Sequence, residues 1–373
     1  MLLKKLNLLN FRNYQEIELN FCNTVNCFSG LNGSGKTNIL EAIHYLAMTK
    51  GYFSGTDSQN IRYNTSMSMV QGVFEHNDNQ ADTVLCTLKH GQKKQFTVNK
   101  NEYQRLGEHI GKYPVVVIAP IDQIIISGGS EIRRRFIDSI ISQADPNYLF
   151  SLISYNQALL QRNSLLKKCH QSGLVDKLSF DIWNERLFDL GTPIFEKRKL
   201  FIADFQKMFL EHYRFISDNS EEVDIQYNSS LHQDKLSNLL ESSFDKDLEL
   251  KYTTVGIHKD DLDIVLNGFP VKKYASQGQQ KSVIIALKLA QFSYLQQQGF
   301  KKPMVLLDDI FDKLDDNRVE RLMELVAKDQ FGQLFVTDTN ESKLNQVFRN
   351  VGIDTRVFNV NNGIVNEPNP QIA

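Results

Sequence analysis

The sequence predicts an α/β fold, in which a mixed sheet carries a glycine-rich loop and an antiparallel β meander, with a helical arm inserted. Three observations predict it. The glycine-rich loop Gly30–Thr37 joins an apolar strand to an apolar helical pattern, and a second apolar run, Pro303–Leu307, ends in two carboxylates. Between them, residues 131–215 have helical rather than alternating periodicity. The predicted segments are the first part of an α/β lobe, a helical arm and the second part of the lobe: 1–130, 131–250 and 251–373.

Composition limits the function classes. The chain has 373 residues, 41% of them hydrophobic, which suggests about two domains. Its 42 basic and 44 acidic residues nearly balance, so any nucleic-acid contact must come from local patches. The four cysteines have no metal-ligand spacing and are typical of a reducing compartment. No apolar run approaches the roughly 20 residues of a membrane span, and the start lacks a signal-peptide pattern, which predicts a cytoplasmic protein.

The first 28 residues alternate between apolar and polar side chains, which predicts a hairpin leading into a short buried strand at Val25–Phe28. Arg12 and Tyr14 lie at the turn of this hairpin. Two interpretations remain open at this point: the pair stacks on a base and touches phosphate, or it is an ordinary surface turn.

The loop after this strand fits the P-loop pattern G-x-x-x-x-G-K-[ST] at every fixed position, and a helical pattern follows it. Its glycines allow backbone N–H groups to surround phosphates, and the helix N-terminus adds its positive dipole end. Lys36 would reach the terminal phosphates and Thr37 would bind Mg²⁺. The alternative is a glycine-rich turn with a chance lysine. The predicted loop residues are Gly30, Leu31, Asn32, Gly33, Ser34, Gly35, Lys36 and Thr37.

The next segments indicate strands. Three β-like runs separated by polar turns predict an antiparallel meander at Met69–Phe74, Thr83–Leu88 and Gln95–Val98. A β-branched run, Tyr113–Ala119, ends at Pro120. Gln123 follows it and is a candidate, from position only, for a glutamine that faces the γ-phosphate.

Residues 131–215 predict helices arranged as an αα-hairpin arm. Pro146 is placed to start a helix, Ser172-Gly173 to end it, and a further helix extends from about Leu178 to Tyr213, with a possible interruption near Gly191–Pro193. Basic clusters are candidate DNA contacts, and solvated helix faces are the alternative. They comprise Arg133, Arg134, Arg135, Lys167, Lys168, Lys197, Arg198, Lys199, Lys272 and Lys273.

The apolar run that ends in Asp308-Asp309 predicts a buried parallel strand whose carboxylates emerge beside the glycine-rich loop. Asp308 would hold Mg²⁺ through water, and Asp309 would orient or deprotonate an attacking water. The alternative is a strand that a turn caps.

A Ser-x-Gly-Gln turn opens an apolar helix, which predicts a second anion-binding device with a serine cap and exposed backbone N–H groups. Its residues are Ser276, Gln277, Gly278 and Gln279. Helix capping alone explains such a turn. Its place in the chain is more informative, because it follows the P-loop and the helical arm and precedes the Asp308-Asp309 strand.

That order resembles ABC-type ATPases, in which the turn at Ser276 would be the signature motif. Asp312–Asp315 resembles their D-loop, with Asp315 as its acid, and Gln333–Thr339 resembles their switch strand. Over nearly its whole length the chain resembles the RecF family of the RecF/SMC/Rad50 group. The matching runs are Leu6–Tyr14, Gly33–Ile43, Glu131–Asp138 and Gly256–Leu262.

This resemblance implies an ABC-ATPase head that binds ATP and Mg²⁺ and forms an ATP-dependent homodimer on gapped or junction DNA. Ser276 and Gly278 of one subunit would cap ATP held by the P-loop of the other, and Arg12 and Asn13 join the implied ATP-binding set. The resemblance also implies slow DNA-dependent hydrolysis, RecO and RecR partners that help load RecA, and a cytoplasmic, nucleoid-associated location.

Two positions depart from the wider superfamily. Asp309 stands where a catalytic glutamate is usual, an acid that RecF-like sequences share, and Thr337 or Asp338 occupies the region of the switch histidine. The alternatives are the nucleotide-binding subunit of a transporter, which the long helical arm opposes, and a DNA-binding scaffold that does not hydrolyse ATP, which the retained Lys36 and Asp308 oppose. An SMC or Rad50 protein is excluded because the chain has no room for long coiled-coil arms.

Overall fold

The structure is a computed structural model that describes residues 1–76, 80–217, 221–299, 302–309, 321, 331–340, 342, 344, 348 and 353–366. The chain forms two compact units. The first combines residues 1–122 with 291–373, and the second comprises residues 123–290, which in sequence are inserted between the two parts of the first. The three-part division predicted from the sequence stays a prediction about domain organisation.

One sheet of the first unit is antiparallel. Its strand order is β2-β1-β4-β5-β6-β7, so the predicted hairpin and meander are both confirmed as parts of one sheet. Burial alternates along β4, as expected where one face covers a core and the other faces water. The strands are β1 Leu2–Phe11, β2 Tyr14–Asn20, β4 Met67–Glu75, β5 Ala81–Lys89, β6 Gln95–Val98 and β7 Asn101–Glu102.

The other sheet of this unit is mainly parallel, in the order β15-β14-β3-β13-β12-β8, with β15 antiparallel to β14. Strands β3, β8, β12 and β13 are buried at every residue, which is typical of parallel strands covered on both faces. The strands are β3 Val25–Ser29, β8 Val115–Ile118, β12 Met304–Leu307, β13 Leu334–Asp338, β14 Thr355–Asn361 and β15 Ile364–Asn366. The predicted α/β class is therefore confirmed.

Helix α1, Lys36–Met48, is packed against strands of both sheets of this unit. Nearly all of its residues are buried, including Glu41 and His44, so both its apolar and its polar faces meet protein. The core around it draws side chains from both sheets, for example Leu6 from β1 and Phe358 from β14. The helix that follows the glycine-rich loop is therefore held rigidly at the centre of the unit.

The second unit is rich in helices. Asp145 caps the helix that starts at Pro146 by accepting hydrogen bonds from two backbone N–H groups, and Gly173 ends that helix at φ 71°, as the sequence predicts. The helices are α2 Ile124–Ser127, α3 Ser130–Ala144, α4 Pro146–Ser172, α5 Lys177–Ser217, α6 Leu236–Ser242, α7 Phe244–Leu250 and α8 Val271–Tyr274, and α9 Gln277–Gln297 begins here. In the part of the chain that the structure describes, no helix combines the length and apolar character needed to cross a membrane.

Two features of this unit differ from the sequence prediction. Helix α5 continues through Pro193 without the interruption considered near Gly191. A Cβ atom on Gly191 would lie 2.7 Å from the Leu236 side chain and 3.0 Å from the Tyr155 ring, so this glycine allows close packing instead of ending the helix. A three-stranded sheet was also missed: β9 Val223–Asn228, β10 Asp261–Leu266 and β11 Phe269–Pro270.

Buried arginines connect the helices of the second unit. Arg198 pairs with Asp138 (3.0 Å) and Asp260 (2.8 Å), and Arg162 pairs with Asp247 (2.7 Å). Burial is the main cause that raises the pKa of Asp260, and the Arg198 charge opposes it. The sequence offered Arg198 as part of a basic cluster that contacts DNA, but the structure buries it in these ion pairs. Its role is therefore structural, and removing it would leave uncompensated buried carboxylates.

Candidate nucleotide-binding site

The glycine-rich loop has a backbone that only glycine adopts easily. Gly30 has φ 155° and Gly35 has φ 119°. A Cβ atom on Gly30 would lie 2.2 Å from the carbonyl oxygen of Val360 on β14, and one on Gly35 would lie 2.4 Å from the Asn13 amide. The two glycines therefore let the loop pass close to neighbouring backbone and side chains.

The turn between β1 and β2 is hydrogen-bonded to the glycine-rich loop. Asn13 Nδ2 donates to the carbonyl of Ser34 (2.9 Å), and the Tyr14 hydroxyl donates to the carbonyl of Gly35 (2.9 Å). Burial raises the pKa of the Tyr14 phenol, which keeps it protonated as a donor. These contacts bring the predicted residue Asn13 to the loop. Tyr14 is buried in the core, which excludes both the surface-turn and the base-stacking interpretations for this residue.

Arg12 connects the same turn to helix α1. Its guanidinium donates to the side chains of Asn60 (2.8 Å), Asn38 (2.8 Å) and Glu41 (3.0 Å). The predicted site residue Arg12 therefore lies against the helix that follows the P-loop. Its own φ of 51° is in the left-handed region, so the turn is held against a conformational preference.

Glu41 is a central residue that sequence reasoning left out of the site. Its carboxylate is fully buried and accepts hydrogen bonds from the backbone N–H groups of Tyr52, Phe53 and Ser54 as well as from Arg12. Burial favours a higher pKa, but the hydrogen bonds from Ser54 and Phe53 and the Arg12 charge outweigh it, and the pKa of Glu41 is lowered. An acid within the apolar pattern of α1 was the available signal.

The loop side chains that would meet phosphate are in place. Lys36 is 4% exposed, and its ammonium donates to the carbonyl oxygens of Gly30 (2.7 Å) and Leu31 (3.2 Å). Among the described residues, the buried hydroxyl of Ser34 has no hydrogen-bond partner. A cation beside a glycine loop at a helix N-terminus provides the donors that a polyphosphate requires.

The sheet brings Asp308 to Thr37. Strand β12 lies beside β13, which lies beside β3, so the carboxyl ends of all three strands reach the same edge. The hydroxyls of Thr37 and Thr337 each donate to Asp308 Oδ1 at 2.8 Å. Burial is the main cause that raises the pKa of Asp308, and the nearby Asp309 adds to it, so a cation here would offset the cost of the buried charge.

Asp309 follows in a left-handed conformation, with φ 43°. Its N–H donates to the Thr337 hydroxyl (3.0 Å), while its Oδ1 is buried and accepts no hydrogen bond from the described residues. An aspartate oxygen held without a donor is suited to accept a proton or a hydrogen bond from water.

These observations together test the fit for ATP and Mg²⁺. A hydroxyl and a carboxylate 2.8 Å apart form the oxygen pair that Mg²⁺ prefers next to phosphates. The unpartnered Ser34 hydroxyl and the Lys36 ammonium stand on the same loop. The residues present therefore fit a magnesium nucleotide.

The signature turn forms a capping box at the start of α9. Ser276 Oγ accepts from the Gln279 N–H (3.2 Å), and the Gln279 side chain accepts from the Ser276 N–H (2.7 Å). Ser276 and Gln277 are exposed, and Gly278 is half-buried. Gln123, the Q-loop candidate, donates to the side chain of Gln280 in this helix. Both members of this glutamine pair lie in the second unit.

The arginine run divides by its contacts. Arg133 makes a two-pronged pair with Asp261 (2.7 and 2.9 Å), and Arg134 donates to the carbonyl of Asp260. Arg135 is exposed and pairs with Glu131 one turn away. Arg133 and Arg134 therefore bind within the unit, and Arg135 is the most accessible of the three. The predicted D-loop acid Asp315 lies outside the described residues.

The C-terminal strands contact the glycine-rich loop, a contact that the sequence analysis missed. Gly363 donates its N–H to the carbonyl of Ser34 (3.1 Å), and β14 pairs with β3 in parallel. The alternating run Arg356–Val360, followed by an Asn-Gly turn, was the signal that predicts this hairpin.

Known proteins match this chain over nearly its whole length. The family described as RecF/RecN/SMC N terminal domain matches residues 2–362. The DNA replication and repair protein RecF of Bacteroides thetaiotaomicron is 44% identical, covering 98% of this chain and 99% of its own. The RecF protein of Flavobacterium johnsoniae is 43% identical over 96% of this chain and its full length.

Solved structures agree with these relatives. The recombination mediator protein RecF-ATP in the RecFOR pathway is 32% identical with a TM-score of 0.90, covering 99% of this chain and 98% of that one. The Smc head domain of Pyrococcus furiosus is 17% identical with a TM-score of 0.58 over 98% of this chain and 96% of that one, which shows the fold alone. The ABC-ATPase head fold is thereby confirmed, and the chain belongs to the RecF family of DNA replication and repair proteins, within the RecF/RecN/SMC group.

Proposed function

We propose that this protein is an ATP-dependent, DNA-binding ATPase of recombinational repair that dimerises when it binds ATP. The observation that carries the proposal is the contact of Thr37 with Asp308, 2.8 Å apart although 271 residues separate them in sequence. A hydroxyl and a carboxylate that converge beside a buried lysine are suited to a magnesium nucleotide and have no evident use otherwise.

Each side chain then has a defined task. Lys36 leaves the loop carbonyls and pairs with the terminal phosphates, while Thr37 and Asp308 hold Mg²⁺. When bound there, Mg²⁺ would supply positive charge that offsets the charge of the phosphates. Asp309 orients or deprotonates the attacking water through its unpartnered oxygen. Aspartate is one methylene shorter than glutamate, which supports slow turnover.

Dimerisation follows from the signature turn. Ser276 and Gln277 are exposed, and the capping box fixes the first turn of α9. An exposed helix N-terminus favours an anion from outside the subunit. In the proposed dimer, Ser276 and Gly278 of one subunit cap the nucleotide bound by the P-loop of the other.

The DNA and protein partners are proposed from the family. The solved relatives act in the RecFOR pathway, so we assign this chain RecO and RecR partners and a role in loading RecA at gapped or junction DNA, in the cytoplasm. Among the predicted DNA contacts, accessibility favours Arg135 over Arg133, because Arg133 is committed to Asp261.

Light scattering with and without ATP, Mg²⁺ and duplex DNA tests this proposal. We expect the mass to double only with ATP and duplex binding to tighten in that state. Lys36→Ala should remove both responses, while Lys89→Ala, an exposed lysine at the end of β5, should keep them. A Lys36→Ala protein that still dimerises with ATP, or a wild-type protein that ignores DNA in every nucleotide state, would refute the proposal.

A further inference from the structure

A short hairpin before the signature turn is held in one conformation. Strands β10 and β11 pair across the two-residue turn Asn267-Gly268, where both residues have positive φ (49° and 81°). The backbone N–H of Asn267 donates to the carbonyl of Glu222 (2.7 Å), and its side chain accepts from the N–H of Glu222 (2.9 Å). Val271, just after the hairpin, is 1% exposed and anchors this segment in the unit.

Two aromatic rings stand on this fixed base and face solvent. Phe269 is 59% exposed and Tyr274 is 68% exposed, yet their ring centroids lie only 5.4 Å apart. Aromatic side chains rarely stay so open, because each has a large apolar area to bury. The rings form one continuous aromatic surface that the subunit itself does not cover.

Two exposed lysines accompany these rings. Between them lie Lys272 and Lys273, both exposed. The Lys272 ammonium reaches the carbonyl of Gly128 (3.0 Å), which fixes its position near the tip. Glu222 borders the base of the hairpin through Asn267, so the positive charge beside the rings comes from these two lysines. Exposed ammonium groups of this kind pair with phosphates.

We propose that Phe269, Tyr274, Lys272 and Lys273 form a platform for single-stranded DNA, with unpaired bases stacked on the rings and phosphates beside the lysines. This inference rests on the proposed DNA-binding function and specifies one contact surface for it. Duplex DNA is a poor ligand for the rings, since its bases are already stacked. Every unpaired base has an exposed π-face, so the platform should distinguish single-stranded from duplex DNA without preferring a base sequence.

Binding of a fluorescein-labelled single-stranded oligonucleotide and of a blunt duplex, measured by anisotropy with ATP and Mg²⁺, tests the platform. Stacking is worth about 1–3 kcal/mol per base, so Phe269→Ala/Tyr274→Ala should weaken binding of the single strand about tenfold or more. Duplex affinity and the ATP-dependent mass should change little. Phe269→Trp/Tyr274→Trp should retain single-strand binding, and Tyr63→Ala, which removes an 87% exposed aromatic elsewhere, should resemble wild type.

The lysines give an independent readout. Lys272→Ala/Lys273→Ala should lower the salt dependence of single-strand binding by about 1 to 2 in the slope of log K against log[salt]. Unchanged single-strand binding in the alanine pairs would overturn the platform. An equal loss of duplex binding would show that the rings do not distinguish single strands from duplex, and a lost ATP-dependent dimer would identify them as a protein interface; either result would overturn the platform. The proposed function fails separately, if wild type does not dimerise with ATP or bind DNA.

Discussion

At the scale of single residues, one hydroxyl links the side chain of Asp308 to the backbone of Asp309. Thr337 Oγ1 donates to Asp308 Oδ1 (2.8 Å) and accepts the N–H of Asp309 (3.0 Å). Thr337 is fully buried in β13, the strand between the P-loop strand and the Asp308 strand. The resemblance to ABC-type ATPases would put Thr337 or Asp338 in the region of their switch histidine, and Thr337 contacts both aspartates directly. We infer that it positions both acids.

Thr337→Val tests this positioning, because valine keeps the shape and removes the hydrogen bonds. Each lost bond to a charged or strained group costs about 1–3 kcal/mol, so ATP turnover should fall about tenfold to a hundredfold. ATP binding, which Lys36 and the loop dominate, should weaken less. Phosphate release and nucleotide affinity would be measured side by side.

Thr337→Ser is the matched control, since it restores the hydroxyl and should recover most turnover. If Thr337→Ser were as slow as Thr337→Val, side-chain volume would be the cause, and the positioning role would be wrong.

The sequence was sufficient to predict site residues that belong to a motif with one known use. Lys36 and Thr37 follow from the P-loop pattern, and Asp308 follows from an apolar strand that ends in an acid. Glu41 could not be assigned in the same way, because its partners are backbone N–H groups of a loop that only the folded chain brings to it. A buried acid reads in sequence like any polar residue on a helix.

At the scale of elements, α1 is fixed at both ends by side chains from elsewhere in its unit. Asn13 and Tyr14 bind the loop before it, and His109 Nε2 donates to the carbonyl of Leu46 near its end (2.7 Å). Because Nε2 meets a carbonyl, it carries the proton, and Nδ1 accepts from the Tyr103 hydroxyl (3.2 Å). The neutral imidazole therefore satisfies a helix carbonyl that has no intrahelical donor.

This arrangement predicts acid sensitivity. Burial is the main cause that lowers the pKa of His109 to about 4, although the hydrogen bond to Leu46 opposes it. The unfolded chain binds a proton near pH 6.5 and the folded one does not, so stability from this group is complete above pH 6.5 and is lost as pH falls toward 4. The loss should reach about 3 kcal/mol.

Urea unfolding of wild type and His109→Gln between pH 7.5 and 4.5 would measure this effect. Glutamine can still donate to Leu46 but does not titrate, so the variant should lose about one proton's worth of pH slope. Identical slopes in the two proteins would show that His109 binds its proton equally in the folded and unfolded chains, and the acid-sensitivity prediction would be wrong.

Helices and strands were predicted correctly where local sequence signals agreed with the tertiary structure. The alternating pattern of β4 and the Asp145-Pro146 helix start were sufficient, since capping and alternation are local. Helix α5 ignores Pro193 because its packing against neighbouring helices outweighs one missing hydrogen bond. Strands β9 and β10 pair although more than thirty residues separate them in sequence. At that separation the sequence pattern does not show which strands pair or in which register.

At the scale of the whole molecule, the site is assembled from distant parts of the chain. Gly30–Thr37, Asp308, Thr337 and Val360 meet because β3 is adjacent to both β13 and β14. Parallel strands place their carboxyl ends at one edge, so the meeting of Thr37 with Asp308 was predictable from motif order. The signature turn is the exception, since its proposed ligand belongs to a second copy of the chain.

A mixing experiment tests this exchange between copies. Lys36→Ala should leave a subunit that binds no ATP but has an intact signature turn, and Ser276→Arg should leave one that binds ATP but cannot cap it. Neither should dimerise alone. In a mixture, the turn of the first caps the ATP of the second, so one composite site per heterodimer forms and ATP-dependent mass doubling should partly return. Ser237→Arg, an exposed serine on α6, is the control and should dimerise alone. Capping in trans requires that the two defects complement each other, so a mixture that stays monomeric would contradict the exchange between copies. A Ser276→Arg protein that dimerises like wild type would place the signature turn outside the nucleotide site.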